Sequence, residues 1–177
     1  MIFTKTEIEG LYIIQLEPKN DNRGYFSRIF CKNELLKVGV RFDIVQINRS
    51  LSLKKGTIRG LHFQKFSKSE GKIIQCIKGS IFDVALDLRP DSKTYKKWIG
   101  KELSAENMTL MLIPKGCAHG FQTLEEESIV EYFVDEFYSP EYESGVRWND
   151  PTIGINWPIS EVQLSEKDIK LTGMNNL

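Results

Sequence analysis

Two histidines are the only imidazoles in this chain, His62 in R-G-L-H-F-Q and His119 in P-K-G-C-A-H-G-F. Any proton transfer near neutral pH that needs an imidazole must use one of them. The strand-like sequence around them supplies a polar set: Arg23, Gln46, Asn48, Arg59, Lys72, Tyr132, Tyr138 and Asp168. Arginines and amides suit a phosphorylated, hydroxylated ligand. A histidine, a lysine and tyrosines suit proton transfer beside a carbonyl. The rival chemistry is a metal centre. Two-histidine sites commonly take H-x-H from one strand, but here the stretch reads His62-Phe63-Gln64. His119 with Asp83 or Asp87 would be a lone partner, so neither a metal nor another cofactor is expected.

Each residue also has a plain structural reading. His62 could be a satisfied core histidine and His119 a turn residue before Gly120. Tyr132 could be strand packing in V-E-Y-F, Lys72 a solvated loop lysine and Arg23 a surface charge. Asp168 stands in S-E-K-D where a capping-box acid belongs. Asp83 and Asp87 read as structural hydrogen-bonders, and Trp148 to Trp157 as packing.

The elements that must position these side chains are mostly strands. Leu11 to Leu16, Asp43 to Ser50, Ile81 to Leu88, Met108 to Ile113 and Ser128 to Val134 have strand texture. Turn residues separate them at Lys55-Gly56, Lys78-Gly79, Arg89-Pro90 and Pro114-Lys115-Gly116. Helix signals are confined to Lys32–Val38, ended by Gly39, and Ser165–Lys170 near the C-terminus. Many short strands and few short helices predict a mostly-β jelly-roll barrel of the cupin type. Gln46, Asn48 and Ser50 share one strand face, which requires water or a wet cavity on that side. Strict alternation sets Arg59 and His62 on opposite faces, so they share a pocket only if Gly60 bends or bulges the strand.

Bulk properties narrow the classes. The 177 residues read as one domain, 1–177, with ordinary hydrophobic (41%) and charged (27%) content. A net charge of +0 and a pI near 6.7 argue against nucleic acid or an anionic membrane as partner. Cys31, Cys76 and Cys117 are odd in number and widely spaced, which suits reduced packing residues in a cytoplasmic protein. No membrane-length apolar run and no signal peptide are expected.

Nine segments in order resemble the dTDP-4-dehydrorhamnose 3,5-epimerase family and its sugar-nucleotide relatives in the cupin superfamily. They are D-N-R-G-Y-F (21–26), Q-I-N-R-S-L-S (46–52), G-T-I-R-G-L-H-F-Q (56–64), G-K-I-I (71–74), F-D-V-A-L-D-L-R (82–89), W-I-G-K-E-L-S-A-E-N (98–107), I-P-K-G-C-A-H-G-F (113–121), R-W-N-D-P-T-I-G-I-N-W-P (147–158) and L-S-E-K-D (164–168). The resemblance implies epimerisation beside a C4 ketone. His62 would be the base, oriented by Asp168, with Tyr132 the acid on the opposite face and Lys72 at the enolate oxygen. It further implies nucleotide-sugar contacts from Arg23, Phe26, Gln46, Asn48, Arg59, His119 and Tyr138. A homodimer with N-terminal strand exchange follows, Arg23 and Phe26 serving the neighbour's site. The product would be an unusual deoxysugar for surface polysaccharide such as an O-antigen.

The chain departs from the family at Arg28, where an acid is usual, and at Lys65-Phe66-Ser67-Lys68, where a proline pair is usual. Phe133 follows Tyr132 in place of a lysine, and Ile47 replaces an aspartate. These changes leave open a dTDP- or CDP-sugar and inversion at C3, C5 or both. A 3,4-ketoisomerase and a non-catalytic nucleotide-sugar-binding barrel are the remaining alternatives.

Overall fold

The computed structural model describes residues 1–176, and two antiparallel sheets face one another across it. In the first sheet the order is β1 (Ile2–Lys5), β2 (Tyr12–Gln15), β10 (Thr109–Ile113), β7 (Lys72–Lys78), β12 (Ser128–Val134), β5 (Gln46–Ser52). In the second it is β13 (Glu143–Gly145), β6 (Ile58–Gln64), β11 (Cys117–Thr123), β8 (Ser80–Asp87), β9 (Trp98–Ser104). A separate hairpin, β3 (Lys19–Asp21) and β4 (Gly24–Phe26), pairs with no other strand among the described residues. The mostly-β jelly-roll expectation holds.

Alternation builds the barrel core. Ile74 and Cys76 on β7, Met111 and Ile113 on β10 and Val130 on β12 meet Ile81 and Ala85 on β8 and Cys117 and Phe121 on β11. Each fully buried aliphatic side chain contributes about 1.5–3 kcal/mol relative to exposure. Outside the first sheet, Ile73, Leu110, Leu112 and Phe133 are covered by Leu35 of α1 (Lys32–Lys37) and by Phe42. Outside the second, Val84, Leu86 and Ala118 pack under Val146, Ile153 and Trp157. The Trp148–Trp157 segment is thus packing, and Trp157 Nε1 donates to the Trp148 carbonyl at 2.9 Å. Burial pushes the Cys76 thiol up to about 11 and Cys117 up to about 12. Both stay protonated near neutrality, as packing cysteines would.

The predicted strand 43–50 is displaced to Gln46–Ser52. Its only ladder partner is β12, whose last residue, Val134, stands opposite Gln46. Beyond that pair the Val45 amide still donates to the Val134 carbonyl at 2.9 Å, but β12 has no further strand residue to continue the ladder.

Gly60 resolves the conflict over Arg59 and His62. Opposite β11 the register runs His119↔His62 and then Phe121↔Arg59, so β6 uses three steps where β11 uses two. Gly60 takes φ +117 in that bulge, and a Cβ there would stand 2.6 Å from both Gly120 Cα and the His119 oxygen. The bulge turns Arg59 onto the His62 side. Gly60→Ala combines a left-handed backbone with a backbone clash, and it is expected to cost about 3 kcal/mol. Denaturant unfolding of the variant checks this.

Candidate active site

His62 and His119 face each other across the β6–β11 ladder. Each imidazole has its own carboxylate. His62 Nε2 lies 2.5 Å from Asp168 Oδ1, and His119 Nε2 lies 2.6 Å from Asp83 Oδ1. His119 is therefore a buried strand residue, not a turn residue. Asp168 comes from α2 (Glu166–Ile169), a single turn begun by Ser165. The Ser165 hydroxyl accepts from the Asp168 amide at 3.1 Å and donates to Asp168 Oδ2 at 2.9 Å. Asp168 thus serves the helix start and the imidazole together. Burial pushes its carboxyl upward, but bonds from His62 and Ser165 outweigh that and leave it below its ordinary value. As an ionised acceptor it leaves the proton on the ring nitrogen facing it, and the other ring nitrogen is free to act as a base.

Lys72, Ile74 and Cys76 share the inward face of β7, and Tyr132 and Val130 that of β12. Lys72 is 7% exposed and so is no solvated loop lysine. Its ammonium lies 2.9 Å from Glu70 Oε1. Burial pushes the Tyr132 phenol up, Glu70 adds to this, and Arg59 offsets part of it. The phenol therefore stays protonated near neutrality.

His62, Lys72 and Tyr132 line two adjoining cavities. One, of about 310 Å³, also holds Gln46, Asn48, Tyr138 and Glu143. The other, of about 280 Å³, holds Arg59, His119 and Asp168. The wet cavity inferred from Gln46, Asn48 and Ser50 is these two spaces, since Ser50 lines the second. Arg59 is braced by Ser52 Oγ at 3.0 Å and the Leu51 carbonyl at 2.9 Å.

Nine of the eleven predicted side chains therefore gather here: His62, Asp168, Tyr132, Lys72, Gln46, Asn48, Arg59, His119 and Tyr138. Arg23 and Phe26 do not. They stand on the exposed β3–β4 hairpin, with Arg23 bound to Asp21 at 2.6 Å and Phe26 68% exposed. Arg28, which replaces the usual acid, pairs with Glu34 at 3.0 Å. Three charged cavity residues were missed: Glu70, Glu143 and Lys167. Glu143 accepts from Tyr138 Oη at 2.8 Å and from Lys167 Nζ at 2.5 Å. The available signals were S-E-G-K, which sets an acid two residues before Lys72, and Lys167 beside Asp168. Among the described residues, no three His, Cys, Asp or Glu side chains gather in a form that could hold a metal ion.

Asp168→Asn keeps the shape but loses the ionised acceptor, and turnover is expected to fall about 10²–10⁴-fold. Stability carries a pH signature. The folded carboxyl lies below its unfolded value, so its stabilisation is present above about pH 4 and is lost as pH falls through the folded value. Denaturant unfolding at several pH values should show the gap between wild type and Asp168→Asn closing on the acid side.

A jelly-roll barrel whose cavity sets a carboxylate-backed imidazole, a buried ammonium and a protonated phenol around one space is equipped for proton transfer at carbon. The family model for dTDP-4-dehydrorhamnose 3,5-epimerase matches residues 5–176. The chain belongs to that family. It is 47% identical over 169 residues to dTDP-4-dehydrorhamnose 3,5-epimerase of Methanothermobacter thermautotrophicus, covering 94% of this chain and 90% of that one. The crystal structure of the Bacillus anthracis enzyme with TDP and pyrophosphate bound aligns with a TM-score of 0.95 at 44% identity, covering 98% of this chain and 99% of that one. The Legionella pneumophila enzyme in complex with dTDP-4-keto-L-rhamnose aligns with a TM-score of 0.93 at 38% identity, covering 98% and 93%.

Proposed function

We propose that this protein epimerises a dTDP-4-keto-6-deoxyhexose at C3 and C5. The observation that carries the reading is the His62–Asp168 pair in one cavity wall with Lys72 and Tyr132. The free ring nitrogen of His62 takes the hydrogen beside the ketone as a proton. The electrons left on carbon move into the carbonyl, and the Lys72 ammonium offsets the enolate charge. Tyr132 Oη then gives its proton to the opposite face of the same carbon. The imidazolium releases its proton to solvent, and the phenolate regains one. Arg59 and His119 suit the diphosphate, while Gln46, Asn48 and Tyr138 suit the nucleoside and sugar hydroxyls.

A homodimer completes the site in this reading. Its support is β5, an edge strand among the described residues, with Ile47 57% and Leu51 49% exposed and Leu53 just beyond it 65% exposed, and the solvent-exposed hairpin bearing Arg23 and Phe26. Such an edge and apolar row call for a partner. Light scattering should give twice the chain mass, and Leu51→Lys with Leu53→Lys should reduce it to one. No helix among the described residues is long and apolar enough to cross a membrane.

The nucleotide is tested by competing dTDP- against CDP-4-keto-6-deoxyglucose. A higher kcat/KM for the dTDP sugar supports the reading, and a preference for the CDP sugar overturns that part of it.

A further inference from the structure

We propose that Glu70 is a positioning residue for the enolisation, clamping the Lys72 ammonium at the cavity wall and setting a fixed negative charge beside Tyr132. This rests on the roles given above to Lys72 and Tyr132.

Glu70 stands just before β7, and its Oε1 lies 2.9 Å from Lys72 Nζ. The two side chains are only 14% and 9% exposed. Gln64 Nε2 reaches the other carboxylate oxygen at 3.4 Å. That amide is itself fixed, since it donates to the Lys68 and Phe137 carbonyls at 3.0 and 3.2 Å and its oxygen accepts from the Ser139 amide at 2.6 Å. The two N–H groups of that amide are shared among three acceptors, of which Glu70 is the most distant, so the Lys72 pair is the main hold on Glu70. A lysine stem has four rotatable carbons, and a fixed acceptor is what holds its Nζ in one place. Misplacing a reacting group by about 1 Å can cost about 10²-fold in rate.

Stability alone is a weak reason for such a pair, because desolvating two charges offsets most of their attraction. The position of the pair is more telling: both members line the cavity that His62 and Tyr132 line. The charged groups around Tyr132 are Arg59 and His62 from β6, Lys72 from β7, His119 from β11, and Lys167 and Asp168 from α2. Glu70 and Glu143 complete the set from the other cavity. Among these Glu70 is the anion that raises the phenol, while Arg59 works against it. Removing its charge therefore makes the phenolate easier to form.

The test uses Glu70→Gln, which keeps the volume, and Glu70→Asp, which keeps the charge. For Glu70→Gln we expect kcat to fall about 10–10²-fold, with KM for the dTDP sugar within about threefold. The alkaline limb of kcat should move to lower pH. For Glu70→Asp the limb should stay with wild type while kcat is intermediate. An ultraviolet titration of the phenol, taken as the difference from Tyr132→Phe, needs no turnover and should shift the same way in Glu70→Gln. If Glu70→Gln does not fold, Glu70→Asp alone decides, and a limb displaced from that of wild type overturns the proposal. Wild-type kcat with unmoved limb and titration in Glu70→Gln also overturns it. If wild type shows no turnover yet the titration shift appears, the enzymatic reading has failed and the electrostatic link stands.

Discussion

Replacing His62 with alanine should stop solvent deuterium from entering the sugar beside its ketone. The chain has one other imidazole, His119, and the reading above gives that ring to the diphosphate rather than to the sugar. The expected loss is about 10⁴-fold or more, the upper end for a single acid–base group. Binding of dTDP should change little, because the removed ring contributes its carboxylate-backed base rather than the phosphate contacts. Proton NMR of the variant in deuterium oxide, beside a dTDP titration, measures both. Exchange within about tenfold of wild type would remove His62 from the role of base.

Tyr132→Phe should separate two events that occur together in the wild type. His62 can still take the proton and return it to the face it came from, so deuterium enters while configuration is retained. Inversion needs a donor on the other face, and that donor is lost. We expect inverted product to form about 10²–10⁴-fold more slowly, with exchange falling far less. The substitution is mild structurally. Tyr132 packs against Val130 and Ile74 in the barrel core, and phenylalanine preserves that contact. Parallel measurement of exchange and of product stereochemistry decides. If exchange and inversion fall by the same factor, Tyr132 acts in proton abstraction or in holding the substrate, and the opposite-face assignment is wrong.

Much of the barrel was legible because alternation is a direct image of it. Ser128–Val134 is a strand from end to end as read, and Ile81–Leu88 and Met108–Ile113 agree to within one residue at each end. Both faces of β8 are buried, yet its alternation survives because one face meets the barrel and the other the Trp157 layer. Gln46, Asn48 and Ser50 announced a wet interior before any partner was known. Period alone could not bring Arg59 to His62. That needs the Gly60 bulge, which depends on pairing with β11 and leaves only a glycine in the sequence. The His62–Asp168 pair spans 106 positions, and nothing local in S-E-K-D distinguishes a cap from a catalytic orienter. It took the family resemblance to pair them. Glu70 and Glu143 escaped notice because Glu70 lies in a loop and Glu143 opens a three-residue strand. Neither setting has a period to reveal which side chains turn inward.

The most direct test is to incubate the wild-type protein with dTDP-4-keto-6-deoxyglucose in deuterium oxide and follow C3 and C5 by proton NMR. Deuterium at both carbons, with formation of the doubly inverted sugar, is the predicted result. Retention of both hydrogens by a folded protein that binds dTDP would contradict the epimerase assignment.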